Sequence, residues 1–379
     1  MKFRKEFEIY SPNINQFFGY YDRPQCNSSG QYLFCRGQEQ FSKFDICVYD
    51  SLSGEVSSVS KSDAVGYQLG NLNSWVSENQ ILIHKKIEET VVAEIVNVKS
   101  SQIELSFERA CYVVKDGLGV FFNIENSGLD RKSYGLGSTK KSSSSVSIYD
   151  IHHKAPVSEL SESQIDTKLG TDKHWYMEHC CFLNSESLLM LFRTSLALDG
   201  IKVEELMVWN YVSGTFTKFF NFSKISHFYG SDNAAMLFGS RNAIGKKNWL
   251  KKIVKSFPYS DLLRKNQKLR AKVIGESYWR LVDSGLERVP FFRDGHPTRV
   301  LSGYVYDTYE TNDNTRELYY LDDESHVPER IECVPSCSLT DGTPIRTDLH
   351  PRAIPSGKGF TIDFIRDGVR GFAYYSLAV

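Results

Sequence analysis

The chain has 379 residues, 41% of them hydrophobic, and a formal charge of −1 at neutral pH. That is enough chain to bury a substantial core, and so small a net charge argues against wholesale nucleic-acid binding. Its eight cysteines show no CxxC pair and no regular spacing, and they read as reduced, mostly buried small residues; only an oxidising compartment would let Cys333 and Cys337 bridge.

The first residues, Met1 to Glu6, lack the apolar core of a signal peptide, and no window approaches the roughly 18 apolar residues of a membrane span. The expected location is therefore cytoplasmic. From Phe3 to Tyr10 polar and apolar residues alternate as in a strand.

A two-part unit then recurs along the chain. Its first half is a polar turn followed by an apolar strand: Ser28–Phe34, Ser77–Ile83, Lys115–Phe121, Ser185–Met190, Asp232–Leu237, Leu301–Tyr306 and Pro355–Phe360. Its second half is a strand ending in an aromatic or aliphatic residue plus Asp or Asn, as in Val48–Asp50, Ile148–Asp150, Val208–Asn210, Leu281–Asp283 and Tyr320–Asp322. With 21 Tyr and 24 Phe among many β-branched residues, this is sheet chemistry punctuated by turn formers. Seven copies predict an all-β fold, a seven-bladed β-propeller of four-stranded blades forming one domain over residues 1–379. After His350 there is room for only three strands, near Leu349–Ile354, Gly359–Phe364 and Gly371–Leu377. The strand Phe3–Tyr10 is expected to supply the fourth and cover an open sheet edge.

Two segments interrupt the pattern. Thr139–Ser147, with its serine run, reads as a loop. Arg241–Lys272 holds 11 Lys or Arg against a single acid, Asp261, with Trp249, Leu250, Ile253, Val254 and Phe257 at helical spacing. It is expected to be a basic helical hairpin inserted in the fifth blade, either packed on the propeller or touching a membrane surface or an anionic polymer.

Four of the nine histidines share one phase of the repeat: His179, His227, His296 and His350 each precede a turn and the strand that follows it. In a propeller the first strand of each blade lines the central channel, so all four are expected at one mouth. Three imidazoles with an oxygen ligand suit a divalent first-row metal such as manganese, zinc or iron. The remaining histidines, His84, His152, His153, His174 and His326, lack that phase and read as structural. Arginines accompany the four. Arg23 stands seven residues before Gly30, as His296 stands before Gly303 and His350 before Gly357; Arg293 and Arg352 flank His296 and His350. Guanidinium forks bind carboxylates bidentately, which points to an acidic ligand; the competing reading pairs these arginines with Asp22, Asp294 and Asp348. No phosphate loop, GxSxG elbow, HExxH or dinucleotide fingerprint is present.

The blade-starting histidines, the strings Asp294-Gly295-His296-Pro297 and Leu349-His350-Pro351-Arg352, and the opening Gly19-Tyr20-Tyr21-Asp22-Arg23-Pro24 resemble the oligogalacturonate lyase family and its seven-bladed relatives from bacterial polysaccharide gene clusters. The resemblance implies a divalent cation, manganese by preference, held by His227, His296 and His350, with His179 as the catalytic base. Where the family carries a ligand glutamine this chain has Arg293, a departure. The implied reaction is β-elimination on a uronate-containing oligosaccharide or polysaccharide, with Arg23, Arg293 and Arg352 neutralising a second carboxylate. The setting would be capsule or O-antigen biosynthesis at the inner face of the membrane. A non-catalytic platform in polysaccharide assembly, or a hydrolytic or other glycan-modifying protein on the same metal, are the competing readings.

Overall fold

The recurring sequence unit proves to be the second and third strands of a four-stranded antiparallel sheet, and seven such sheets make a β-propeller. The computed structural model describes residues 3–38, 43–65, 70–88, 90–122, 145–170, 175–194, 204–222, 224–240, 276–289, 291, 293–311, 313–325, 327–336 and 347–378. The basic segment 241–272 and most of the serine run lie outside them.

Strand β1 (Phe3–Ile9) is set apart from its sequence neighbours. The first blade comprises β2 (Asn15–Phe17), β3 (Gln31–Gly37), β4 (Phe44–Asp50) and β5 (Val56–Ser62). The second comprises β6 (Ser74–Ser77), β7 (Gln80–Ile87), β8 (Thr90–Asn97) and β9 (Ile103–Phe107). The third runs through β10 (Ala110–Lys115), β11 (Leu118–Phe122), β12 (Val146–Asp150) and β13 (Ala155–Leu160). The fourth has β14 (Trp175–Phe182), β15 (Ser187–Thr194), β16 (Glu204–Asn210) and β17 (Thr215–Lys218). In the fifth are β18 (Lys224–Ser231), β19 (Ala234–Ser240), β20 (Glu276–Val282) and β21 (Gly285–Val289). The sixth has β22 (Pro297–Val300), β23 (Gly303–Asp307), β24 (Thr315–Asp322) and β25 (Glu329–Pro335). The seventh orders β26 (Arg352–Ala353), β27 (Gly359–Arg366), β28 (Val369–Leu377) and then β1, so the N-terminal strand completes the last blade as expected.

The Asp or Asn that ends the third strand of five blades has a local reason. The Asp50 carboxylate accepts from the backbone amides of Leu52 and Ser53 at 2.9 and 3.1 Å, and the side-chain oxygens of Asn97, Asn210 and Asp322 accept from downstream amides in the second, fourth and sixth blades. A short polar side chain bonding its own downstream backbone is what turns the chain into the outer strand. One helix stands among the described residues, α1 (Glu162–Leu169), which the sequence reading did not anticipate. Its signals are short: Ser161 and Gln164 form a capping box, and Gly170 ends it at φ 63°.

The described residues group into two compact units: residues 1–170 with 298–301 and 334–379, and residues 171–297 with 302–333. In the first, apolar side chains of adjoining sheets interlock. Phe17, Leu33, Ile46, Trp75, Ile81 and Ile83 join the first and second blades, while Phe18, Tyr32, Phe34 and Phe372 join the seventh and first. In the second, Leu189, Leu191, Ile225, Phe228 and Leu237 join the fourth and fifth blades, and Phe238, Tyr278, Tyr304 and Tyr306 join the fifth and sixth. Burial pushes the thiols of Cys26, Cys47 and Cys111 up to about 12, which makes them inert fillers of these cores.

Candidate metal centre

In the second unit, His179 lies on β14 and His227 on β18, the first strands of their blades, and His296 immediately precedes β22. Both strands slip register at the histidine: β14 between Met177 and His179, β18 between Ile225 and Phe228. A β-bulge re-aims the side chain beside it, so two imidazoles leave the regular in–out alternation. The ring centroids of His227 and His296 are 4.2 Å apart, and those of His179 and His227 are 5.8 Å apart. All three rings are buried. The phase of the repeat thus brings three of the four histidines into one cluster within this unit.

Carboxylates stand behind the rings. Nδ1 of His227 is 3.4 Å from Asp294 Oδ1 and 3.1 Å from the Ser226 hydroxyl, while its Nε2 is 3.4 Å from the Tyr309 hydroxyl. Nδ1 of His296 is 3.0 Å from Asp307 Oδ1, which also accepts the His296 backbone N–H at 2.6 Å. Burial, and then the neighbouring His296, hold the His227 imidazole down at about 4, so it is neutral with a lone pair available near pH 7.

Gly295 is required in the Asp-Gly-His-Pro string because a Cβ there would run into the Asp307 backbone. The Tyr309 N–H donates to the Asp294 carbonyl at 3.1 Å, clamping the same two segments together.

Charged groups surround the cluster. Glu178 Oε2 lies 3.9 Å from His179 Nε2 and pairs with Arg193, which also reaches Glu204 at 3.6 Å and donates to the Ser226 carbonyl at 3.0 Å. Arg293 pairs with Glu317 rather than with its neighbour Asp294, and Glu317 also holds Arg330 at 3.1 Å. The Arg293 side chain keeps 31% of its surface exposed.

In the first unit, His350 precedes β26 by two residues, at the same phase of the last blade. It adopts φ 47°, a left-handed conformation that the residue before a proline rarely takes, and is packed edge-on to Tyr20 with centroids 4.8 Å apart. Its Nε2 is 3.9 Å from Asp348. Two expected ligand arginines of this unit are differently engaged. Arg352 is 1% exposed, with its guanidinium 2.8 Å from Asp363 rather than on Asp348 and also donating to the Gly19 and Tyr20 carbonyls. Arg23 is buried against Asp22 at 3.8 Å, donates to the Tyr112 and Leu72 carbonyls, and stacks on the Tyr112 ring. Both guanidiniums bind main-chain carbonyls within this unit; Arg23 has the Asp22 partner of the competing reading, while the acid facing Arg352 is Asp363.

His84 is structural: Cys111 N–H donates to its Nε2 at 3.1 Å and Nδ1 faces the Asn71 carbonyl at 2.9 Å. His152 and His153 are exposed, and His174 and His326 lie outside the described residues.

Sequence reasoning missed Asp307 and Tyr309, which reach the histidines across strands. The only signal was the position of Asp307 at the end of the aromatic run Tyr304-Val305-Tyr306. It also passed over Glu178, Arg193 and Glu204.

No protein-family model matches the sequence, and no curated protein matches it either. Solved structures do. An oligogalacturonate lyase in complex with manganese aligns over 97% of this chain and 92% of its own, at 11% identity and a TM-score of 0.63. An oligogalacturonate lyase from Vibrio parahaemolyticus aligns over 100% and 97%, at 10% identity and a TM-score of 0.61. The β-propeller domain of the Trilobed protease from Pyrococcus furiosus aligns over 98% and 97%, at 8% identity and a TM-score of 0.51. At these identities the likeness is one of fold: the chain has the propeller that oligogalacturonate lyases share with peptidase propeller domains.

Proposed function

We propose that the chain is a metal-dependent, lyase-like enzyme that cleaves a uronate-containing glycan by β-elimination. The observation that carries this reading is the buried cluster of His179, His227 and His296, two of whose rings are backed by carboxylates. The donor set fits a divalent first-row cation: His227 is held neutral, and Asp294 and Asp307 stand at the Nδ1 atoms, the outer-shell arrangement common to metal-bound histidines. His227 and His296 would be ligands. His350 is assigned as the third from its phase and from the family resemblance, with manganese the preferred ion. A bound cation would polarise the uronate carboxylate and stabilise the charge that develops as the C5 proton leaves.

The protein's own groups account for the rest. His179 lies beside His227 and takes the C5 proton. The electron pair of the broken C5–H bond becomes the C4=C5 double bond, the C4–O4 bond breaks, and the departing O4 takes a proton from solvent water, to which His179 returns the proton it removed. Arg293 has the exposure to meet a second carboxylate, so substrate recognition is placed there first. Arg23 and Arg352 would serve the site by holding the main-chain carbonyls they bind.

Metal analysis of the purified protein, together with incubation on oligouronates, tests the proposal. A bound divalent cation and an ultraviolet-absorbing unsaturated product support it. Metal without elimination would shift the assignment to another glycan-modifying reaction, and absence of both would leave a non-catalytic platform in polysaccharide assembly.

A further inference from the structure

We propose that Asp307 is a positioning residue that locks His296 in its Nδ1–H tautomer, leaving Nε2 as the nitrogen able to bind a cation; the inference rests on the metal reading of the cluster. Asp307 Oδ1 and Oδ2 lie 3.0 and 3.2 Å from His296 Nδ1, and both side chains are 1% exposed. An ionised carboxylate only accepts, so the ring nitrogen facing it must carry the proton. In a neutral imidazole the lone pair then sits on the other nitrogen.

The pairing has little freedom to adjust. Asp307 Oδ1 is anchored by the His296 backbone N–H at 2.6 Å, so the same carboxylate fixes the main chain through Oδ1 and presents Oδ2 to the ring Nδ1 at 3.2 Å. Gly295 lets the Asp307 backbone approach too closely for any side chain, and the Tyr309 N–H bond to the Asp294 carbonyl holds the far side. His227 repeats the arrangement more loosely, with Asp294 at 3.4 Å from Nδ1. Two successive blades thus present imidazoles backed at Nδ1.

The substitution that isolates this role is Asp307→Asn, which keeps size and shape. Its carbonyl oxygen would retain the His296 backbone N–H. The amide nitrogen would then face Nδ1 and donate to it, moving the ring proton to Nε2. Histidine-selective nitrogen-15 NMR on the metal-free full-length protein, with His296→Gln for assignment, should show His296 as the Nδ1–H tautomer in the wild type and as Nε2–H in Asp307→Asn. Titration with manganese(II) alone should show about a 10–100-fold loss of affinity in the variant. An Nε2–H tautomer in the wild type would overturn the proposal without need of any variant. So would an Asp307→Asn protein that folds, keeps the wild-type tautomer and binds manganese equally well. If the wild type binds no manganese yet shows the Nδ1–H tautomer, the lock stands and the metal reading fails.

Discussion

At the scale of single residues, buried imidazoles are used in two opposite ways. His84 accepts an N–H from Cys111, so its Nε2 cannot carry a proton without breaking that bond. Burial, reinforced by Arg23, holds its pKa down at about 3 against an ordinary 6.5. The folded state thus resists a proton that the unfolded chain takes up. The His84 contribution to stability is whole above pH 6.5 and is lost as pH falls from 6.5 toward 3. By about pH 4 the loss should reach on the order of 3 kcal/mol. Urea midpoints measured from neutral pH downward should fall more steeply for the wild type than for His84→Gln; parallel curves would refute it. In the candidate centre the imidazoles are instead positioned to offer lone pairs. His296→Ala should lose most bound manganese, and His350→Ala tests in the same assay whether the last blade supplies a ligand. His179→Ala should keep the metal and lose elimination activity; a metal-free His179→Ala protein would argue against a base role. The histidines were legible because a repeat places equivalent residues at equivalent points. Asp307 and Tyr309 were not, since a carboxylate that reaches a ring across strands leaves no spacing in the sequence.

At the scale of elements, the sequence pattern is strongest where strands are most buried. The second strands β3, β7 and β15 and the third strands β4, β12 and β16 carry the apolar runs and the Asx turns, and these were among the repeats that could be counted. The first strands are short or bulged, and a bulge shifts register without any compositional mark. That is why the phase of His179 and His227 could be read but not the direction in which they are aimed. The short helix α1 escaped because eight residues with a single buried side chain, Ile165, give no periodicity. Strand β1 was legible from the shortage of strands after His350. It pairs with β28 from Phe3 opposite Leu377 to Ile9 opposite Phe372, and Phe7 packs on Tyr32, Tyr49 and Tyr374. Removing residues 1–10 would uncover that aromatic cluster and leave β28 as an open edge. The truncated protein should melt at lower temperature and aggregate, as followed by calorimetry and light scattering; unchanged melting would mean β1 is dispensable. At Gly295, the Ala substitution forces a methyl into the Asp307 backbone and should cost about 1–3 kcal/mol, read from urea unfolding.

At the scale of the whole molecule, a net charge of −1 provides no general attraction for an acidic glycan, so any attraction must be local. Around the cluster of the second unit, however, the carboxylates of Glu178, Glu204, Asp294, Asp307 and Glu317 outnumber the guanidiniums of Arg193, Arg293 and Arg330, which are already ion-paired among them. A uronate approaching such a site meets like charge unless a cation is present to reverse the local sign. Binding of acidic oligosaccharides should therefore require the metal, vanish on chelation and return when manganese is added back, as isothermal titration would show. It should also weaken as salt is raised, because exposed contacts are screened over about 8–10 Å at physiological ionic strength. Neutral oligosaccharides of equal length should bind no better with metal than without. Metal-independent binding of an acidic glycan would place its recognition elsewhere on the chain, with the basic segment 241–272 the first region to mutate, and would separate glycan binding from the histidine cluster.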